Sequence, residues 1–328
     1  MQSGFAAPWQ IHDQRSPIAM KRLIRLPQTL PSWPEIISEF MLFKRASGCA
    51  DRTLRDYKTH LSKFFETYDE SEDLKIALFR HFADLAERVS PCTFNIRRRY
   101  LRAFFNWCKS EGYMAANPLS SIKRAKEDET PRCVNEDDLR RLLETCDQKT
   151  YTGLRDYCVL LLTLDTGIRP REALSLPVDA LDLRNRAVTI PANIAKTRVS
   201  RTVPITPITA RMLRKLLAIR PPEWNKSPLF CSQDGSEMLS SSWARRLSHY
   251  SEKAGVKIRP YDLRHAFALF YLRNGGNLLA LQKTMGHTTL DMTRRYVALV
   301  EGDLQEQHSI ASPVAKLVPE KKRVRTLK

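Results

Sequence analysis

Four short segments of this 328-residue chain carry residue types suited to chemistry at a phosphate. In TGIRPREALSL, Arg169 and Glu172 stand at i and i+3, pairing a forked donor with a carboxylate that could orient it. In AKTRVSRTVPI, Lys196 is flanked by β-rich pieces and followed by Arg198 and Arg201. An ammonium on such a loop could enter a site and protonate a leaving oxygen. PYDLRHAFAL opens a helix with Tyr261, Arg264 and His265. Tyr261 and Arg264, three apart, share a helical face, and the backbone donors at the helix start favour an anion. MGHTTLDMTRRY holds His287 and, nine residues later, Tyr296 in an amphipathic stretch. Taken singly, each segment has an ordinary reading: a surface ion pair, a solvated turn lysine, a first helical turn with His265 facing the core, and a core tyrosine.

The elements that must position these residues fall into two groups. From about Trp33 the pattern is helical, with Leu54, Tyr57, Leu61, Phe64, Phe65 and Tyr68 in one apolar stripe. Phe79, Phe82 and Leu85 predict a second helix, and Ile96, Tyr100, Leu101, Phe104, Phe105 and Cys108 a third, ended by Gly112 and Asn117-Pro118. A helical domain over 33–124 follows, preceded by a weakly ordered or extended segment (1–32). The charged, proline-containing stretch within Ser121–Arg132 reads as an exposed linker, centred on 125–134. Asn135 with Asp138 then opens a helix around Leu139, Leu142 and Leu143. A more buried helix runs from about Leu154 to Thr166 and stops at Gly167. Ala187–Pro191 and Arg201–Ile205 predict a hairpin. Helical patterns resume at Ala210–Ile219, Ser242–Ala254 and Tyr261–Val300. The expected fold is mainly α with a small β-sheet. The second domain spans 135–312, and a basic tail (313–328) ends in KKRVRTLK, a surface contact or a solubilising end.

Composition narrows the partner. Fifty-four Lys and Arg against 36 Asp and Glu leave a formal charge of +18, which favours a polyanion because neutralised phosphates release counterions. The longest apolar run, Val159–Leu164, is far short of the roughly 20 residues that span a bilayer, and no secretion signal is visible. Seven cysteines (Cys49, Cys92, Cys108, Cys133, Cys146, Cys158 and Cys231) are scattered without C-x-x-C spacing. They read as reduced thiols of a cytoplasmic protein rather than as zinc ligands or a disulfide framework. The sequence also offers no carboxylate cluster of the two-metal kind, so neither metal nor cofactor is expected.

The four boxes in this order resemble the tyrosine recombinase (phage integrase) family, of the Xer and integrase type. TLRDYKTHLSKFF and LRAFFNWCKSEGYMAANPLSSIK are similar to its helical, SAM-like core-binding domain, so the likeness covers roughly residues 35–300. The resemblance implies a clamp on the scissile phosphate by Arg169 and Arg264, with Glu172 supporting the first arginine. It implies Lys196 as general acid, His287 as a phosphate contact, Tyr296 as nucleophile and His265 as a structural residue. The products would be a 3′-phosphotyrosine and a free 5′-hydroxyl, formed without metal or ATP. Two double-stranded DNA sites would be held by four protomers, as a homotetramer or heterotetramer, and exchanged through a Holliday junction. Accessory bending proteins or a partner recombinase could join them, and the protein would be cytoplasmic, associated with a prokaryotic nucleoid. The segment after Tyr296 would reach a neighbouring protomer. Arg97, Arg98 and Arg99 are backbone contacts or a solvated face. Tyr261 departs from the family, which most often has His there; a phenol can donate to a phosphate oxygen but is a poor proton acceptor at neutral pH. A type IB topoisomerase and a non-catalytic DNA-binding regulator are the competing readings.

Overall fold

Helix caps and apolar spacing set the boundaries of the first unit. The structure, a computed structural model, describes residues 31–127, 134–297, 308 and 312–317. The chain divides into two units, Met1–Asp128 and Glu129–Lys328. The lead-in up to residue 30, Cys133, nearly all of the segment after Tyr296 and the KKRVRTLK end lie outside the described residues. The described residues of the expected tail include a helical turn, Val314–Leu317.

The first unit is built of α1 (Trp33–Ala46), α2 (Asp51–Phe65), α3 (Leu74–Arg88) and α4 (Pro91–Glu111). Asp73 Oδ1 accepts from the backbone N–H groups of Lys75 (3.0 Å) and Ile76 (3.1 Å), capping α3. Ser90 caps α4, with Pro91 in its first turn, where a missing N–H costs nothing. Phe40, Leu61, Phe64, Leu78, Leu101, Phe104 and Phe105 form the buried core. Phe79 does not join it: Leu78, Phe82 and Leu85 make the inner face of α3, and Phe79, one position round, is 42% exposed beneath the Lys75 ammonium.

The start of the expected linker is tied down rather than free. Asn95 Nδ2 donates to Ala125 O (2.8 Å) and to Glu127 Oε1, and its Oδ1 accepts from Ala125 N. Arg98 Nε donates to Ile122 O at 2.6 Å. Two polar residues of α4 thereby satisfy backbone that periodicity alone leaves as loop.

The second unit centres on α6 (Tyr151–Thr166), which begins three residues earlier than its apolar pattern because Thr150 caps it. Leu154, Cys158, Val159, Leu160 and Leu162 are buried all round the helix, as a core helix requires. It packs between α8 (Pro207–Ala218) and α10 (Pro260–Arg273). The capped α5 (Glu136–Glu144) precedes it, with Asn135 Oδ1 accepting from Asp138 N at 2.7 Å. The short α7 (Pro170–Leu174) follows.

The expected hairpin is β2 (Ala187–Ile190) against β3 (Arg201–Pro204), antiparallel, with Val188 opposite Val203 and Ile190 opposite Arg201. A two-residue strand, β1 (Leu181–Asp182), extends the sheet on the β2 side; two residues are too few to show period-2 alternation. Beyond α9 (Ser240–Lys253), the helical pattern expected from Tyr261 onward resolves, among the described residues, into three helices. These are α10, α11 (Leu278–Met285) and α12 (Asp291–Val297), broken around Gly275-Gly276 and Gly286.

α6 ends at Gly167, whose φ is +60. A Cβ there would lie 2.3 Å from Phe267 Cδ1. Gly167→Ala is therefore expected to lower stability by more than the roughly 1–2 kcal/mol of a left-handed alanine. Chemical denaturation measures it, and an unchanged midpoint contradicts the expectation.

Candidate active site

Three guanidinium groups converge on one end of α11. The last carbonyls of a helix lack intrahelical partners and carry the negative end of its dipole. Three successive carbonyls here each take one arginine: Thr284 O accepts from Arg201 Nε (3.2 Å), Met285 O from Arg264 Nη2 (2.9 Å) and Gly286 O from Arg169 Nη2 (3.1 Å). Gly286 makes the turn possible. Its φ is +63, and a Cβ would come within 3.1 Å of Arg201 Cδ and Nε.

Arg169 is placed by the Gly167 turn and by the proline that starts α7. Its Nη1 donates to Glu172 Oε1 at 3.0 Å, the i,i+3 pair expected from the sequence. The other carboxylate oxygen accepts from Arg201 Nη2 at 2.5 Å, and Oε1 also accepts from the backbone N–H of Lys196 at 3.1 Å. Burial pushes the Glu172 carboxyl up. Arg201 first, then the Lys196 N–H and Arg169, outweigh this and hold it below the usual glutamate range.

Arg264, on α10, also donates through Nη1 to Gly167 O, so the turn that places Arg169 is clamped by the second arginine. Burial, reinforced by the charge of Arg169, pulls its guanidinium down to about 10, which leaves it a cation at neutral pH. Its Nη2 meets His287 Nε2 at 2.9 Å, while His287 Nδ1 meets Thr293 Oγ1 at 2.8 Å. A guanidinium can only donate, so Nε2 is the acceptor and the imidazole proton sits on Nδ1, facing Thr293.

Tyr296, on α12, is 2% exposed, and its hydroxyl lies 2.6 Å from His265 Nδ1. The structure thus joins Arg169, Glu172, Arg264 and His287 in one bonded cluster and places the Tyr296–His265 pair beside it through α10. Lys196 enters by its backbone alone, with its side chain exposed. Tyr261 makes no side-chain hydrogen bond to the cluster among the described residues. It is 53% exposed while Arg264 is buried, since residues three apart on a helix are offset by about a sixth of a turn.

Sequence reasoning left Arg201 out of the candidate site, although it contacts both Glu172 and α11. Its signal is a cation at the start of a strand that follows the lysine loop. In the first unit, Arg98 is buried against Ile122 O, so the Arg97–Arg99 run is not one surface face. Arg98 and Arg99, with Arg102 and Arg124, nevertheless line one groove of about 640 Å³, which Glu127 also borders.

Counter-charge is scarce in the cluster. Among the described residues, Glu172 is the one carboxylate ion-paired with Arg169 and Arg201, and no carboxylate pairs with Arg264. Buried cations are paired or wait for an anion, so the arrangement is built to receive negative charge.

The chain resembles known proteins. The model of the phage integrase family matches residues 132–302. The tyrosine recombinase XerC of Thermodesulfovibrio yellowstonii is 30% identical over 290 residues, covering 83% of this chain and 94% of that protein. The tyrosine recombinase XerD of Listeria monocytogenes is 26% identical over 299 residues, covering 86% and 99%. A lambda integrase tetramer bound to a Holliday junction superposes with a TM-score of 0.69 at 13% identity, covering 82% of this chain and 78% of that one, a likeness of fold. With a matched family model over more than half its length, this chain belongs to the phage integrase family, among the tyrosine recombinases of the Xer and integrase type.

Proposed function

We propose that this chain is a site-specific DNA recombinase that cleaves and rejoins strands through a phosphotyrosine at Tyr296. The observation that carries the reading is the charge deficit of the cluster. Arg169, Arg201 and Arg264 crowd the end of α11 with one carboxylate among them, as a site for a phosphodiester demands. Arg169 and Arg264 hold the non-bridging oxygens and stabilise the charge that builds on five-coordinate phosphorus. His287, fixed by Arg264 and Thr293, stands beside them.

Tyr296 attacks, and Lys196, free to swing in from its loop, protonates the departing 5′ oxygen. The ester bond energy stays in the phosphotyrosine, so rejoining needs no ATP. The partner is duplex DNA, held by both units, with Arg99, Arg102 and Arg124 as backbone contacts in the first. Four protomers assemble on two sites in the cytoplasm of a prokaryote.

The test is a nicked suicide duplex carrying the recombination site, found first by footprinting. A denaturation-resistant adduct whose DNA-bearing peptide contains Tyr296 is expected. Sequence-independent relaxation of supercoils with no preferred site would point instead to a topoisomerase. Tyr261→Phe is expected to leave single-turnover cleavage within about twofold of wild type, the range of an exposed substitution worth about 0.5 kcal/mol. A larger loss would return the Tyr261 hydroxyl to the site.

A further inference from the structure

The nucleophile of the proposed reaction must lose a proton, and Tyr261, where the resemblance leads one to expect a histidine, is an exposed phenol. The other basic groups of the cluster are engaged. Glu172 already accepts from Arg169, Arg201 and Lys196 N. His287 spends Nε2 on Arg264 and Nδ1 on Thr293. Lys196 serves as an acid only while it carries its proton. His265 faces the nucleophile itself: its Nδ1 lies 2.6 Å from the Tyr296 hydroxyl, within the shell of a short O–H···N bond, and an imidazole is suited to accept a proton near neutral pH.

We propose that His265 is the catalytic base for Tyr296, taking the role that position 261 cannot fill. The inference rests on Tyr296 as nucleophile. The phenol proton passes to Nδ1, leaving an imidazolium; the Tyr296 oxygen bonds to phosphorus; the phosphorus–O5′ bond breaks; and O5′ takes a proton from the Lys196 ammonium. In rejoining, the 5′-hydroxyl returns its proton to Lys196 as it attacks, and the phenolate leaving phosphorus recovers its proton from His265. No further reactant is needed. His265 follows Arg264 on α10, so base and phosphate clamp ride on one helix.

The experiment is single-turnover cleavage of the suicide duplex by the full chain, with oxygen or sulfur at the bridging 5′ position. A thiolate leaves without an acid. Lys196→Ala should therefore be slow on oxygen and recover on sulfur, whereas His265→Asn, which can still accept a hydrogen bond but cannot hold the proton, should be slow on both by about 10²–10⁴. His265→Asn cleaving at or above the wild-type rate overturns the proposal and leaves His265 as a seat for the resting phenol. Should His265→Asn fail to fold, wild-type ¹⁵N-imidazole spectra decide. The resonance that moves in Tyr296→Phe belongs to His265; a bare Nδ1 is expected, and a protonated Nδ1 donating to the phenol overturns the proposal. An adduct at a residue other than Tyr296 sinks both readings, while an adduct at Tyr296 formed at full rate by His265→Asn sinks this one alone.

Discussion

Tyr296→Phe is expected to form no denaturation-resistant adduct on the suicide duplex while still binding DNA. The substitution removes one oxygen from a side chain that is 2% exposed and packed with Phe267, Leu281 and Met285. Phenylalanine keeps that ring and its contacts, so the cavity stays filled. The loss is the hydroxyl's bond to His265. A buried acceptor left without its donor costs about 1–3 kcal/mol; His265 is only half-buried, so water can replace the phenol and the low end applies. The arginines, which donate to the α11 carbonyls, keep their phosphate-binding geometry. Activity should therefore vanish while affinity and folding barely change. Adduct formation, DNA binding and a thermal melt, all on the one variant, check this. A persistent adduct would move the nucleophile elsewhere, and a large drop in melting temperature would mean the phenol is a structural pin.

Much of this arrangement is legible in the sequence because its signals are local. Gly167 ends an apolar helix and so places Arg169 at the start of the next; Glu172 lies one turn on, within reach of it. The helical stripes of the first unit and the β2–β3 hairpin follow from period and turn chemistry in the same way. What is not legible depends on contacts distant in sequence. Arg201 belongs to the site because β3 runs past the end of α11, 83 residues later. Arg98 looks like one cation of three until Ile122 O takes it inward. The orientation of Tyr261 rests on a sixth of a turn, finer than an i,i+3 rule resolves. The Tyr296–His265 contact joins α10 to α12, two helices that the sequence pattern runs together as one helical region. His265, structural by the family resemblance, becomes the candidate base only once that contact is seen.

Glu172→Gln should destabilise the second unit more than any conservative change in the cluster. Glutamine keeps the shape of the side chain, so packing is not at issue. The loss is the counter-charge of two buried guanidiniums, Arg169 and Arg201, whose side chains are 8% and 10% exposed. Leaving one side of a buried ion pair unmatched typically costs about 3–5 kcal/mol. Two arginines share the loss here, and with Arg264 they then crowd the α11 end with no carboxylate among them. The amide must also present its NH₂ to one of these donor groups, which adds a donor–donor clash. Cleavage should fall together with stability, since Arg169 is oriented through this carboxylate. Acidification separates the charge effect from the steric one. The folded-state carboxyl titrates below the usual glutamate value, so its contribution is complete above the unfolded value of about 4.3 and is lost as pH falls through the folded value. Wild type and Glu172→Gln should therefore differ fully in denaturant midpoint at pH 7, and the gap should close as pH drops below about 4. A gap that stays constant to pH 3 would mean that shape rather than charge is what the arginines require of position 172.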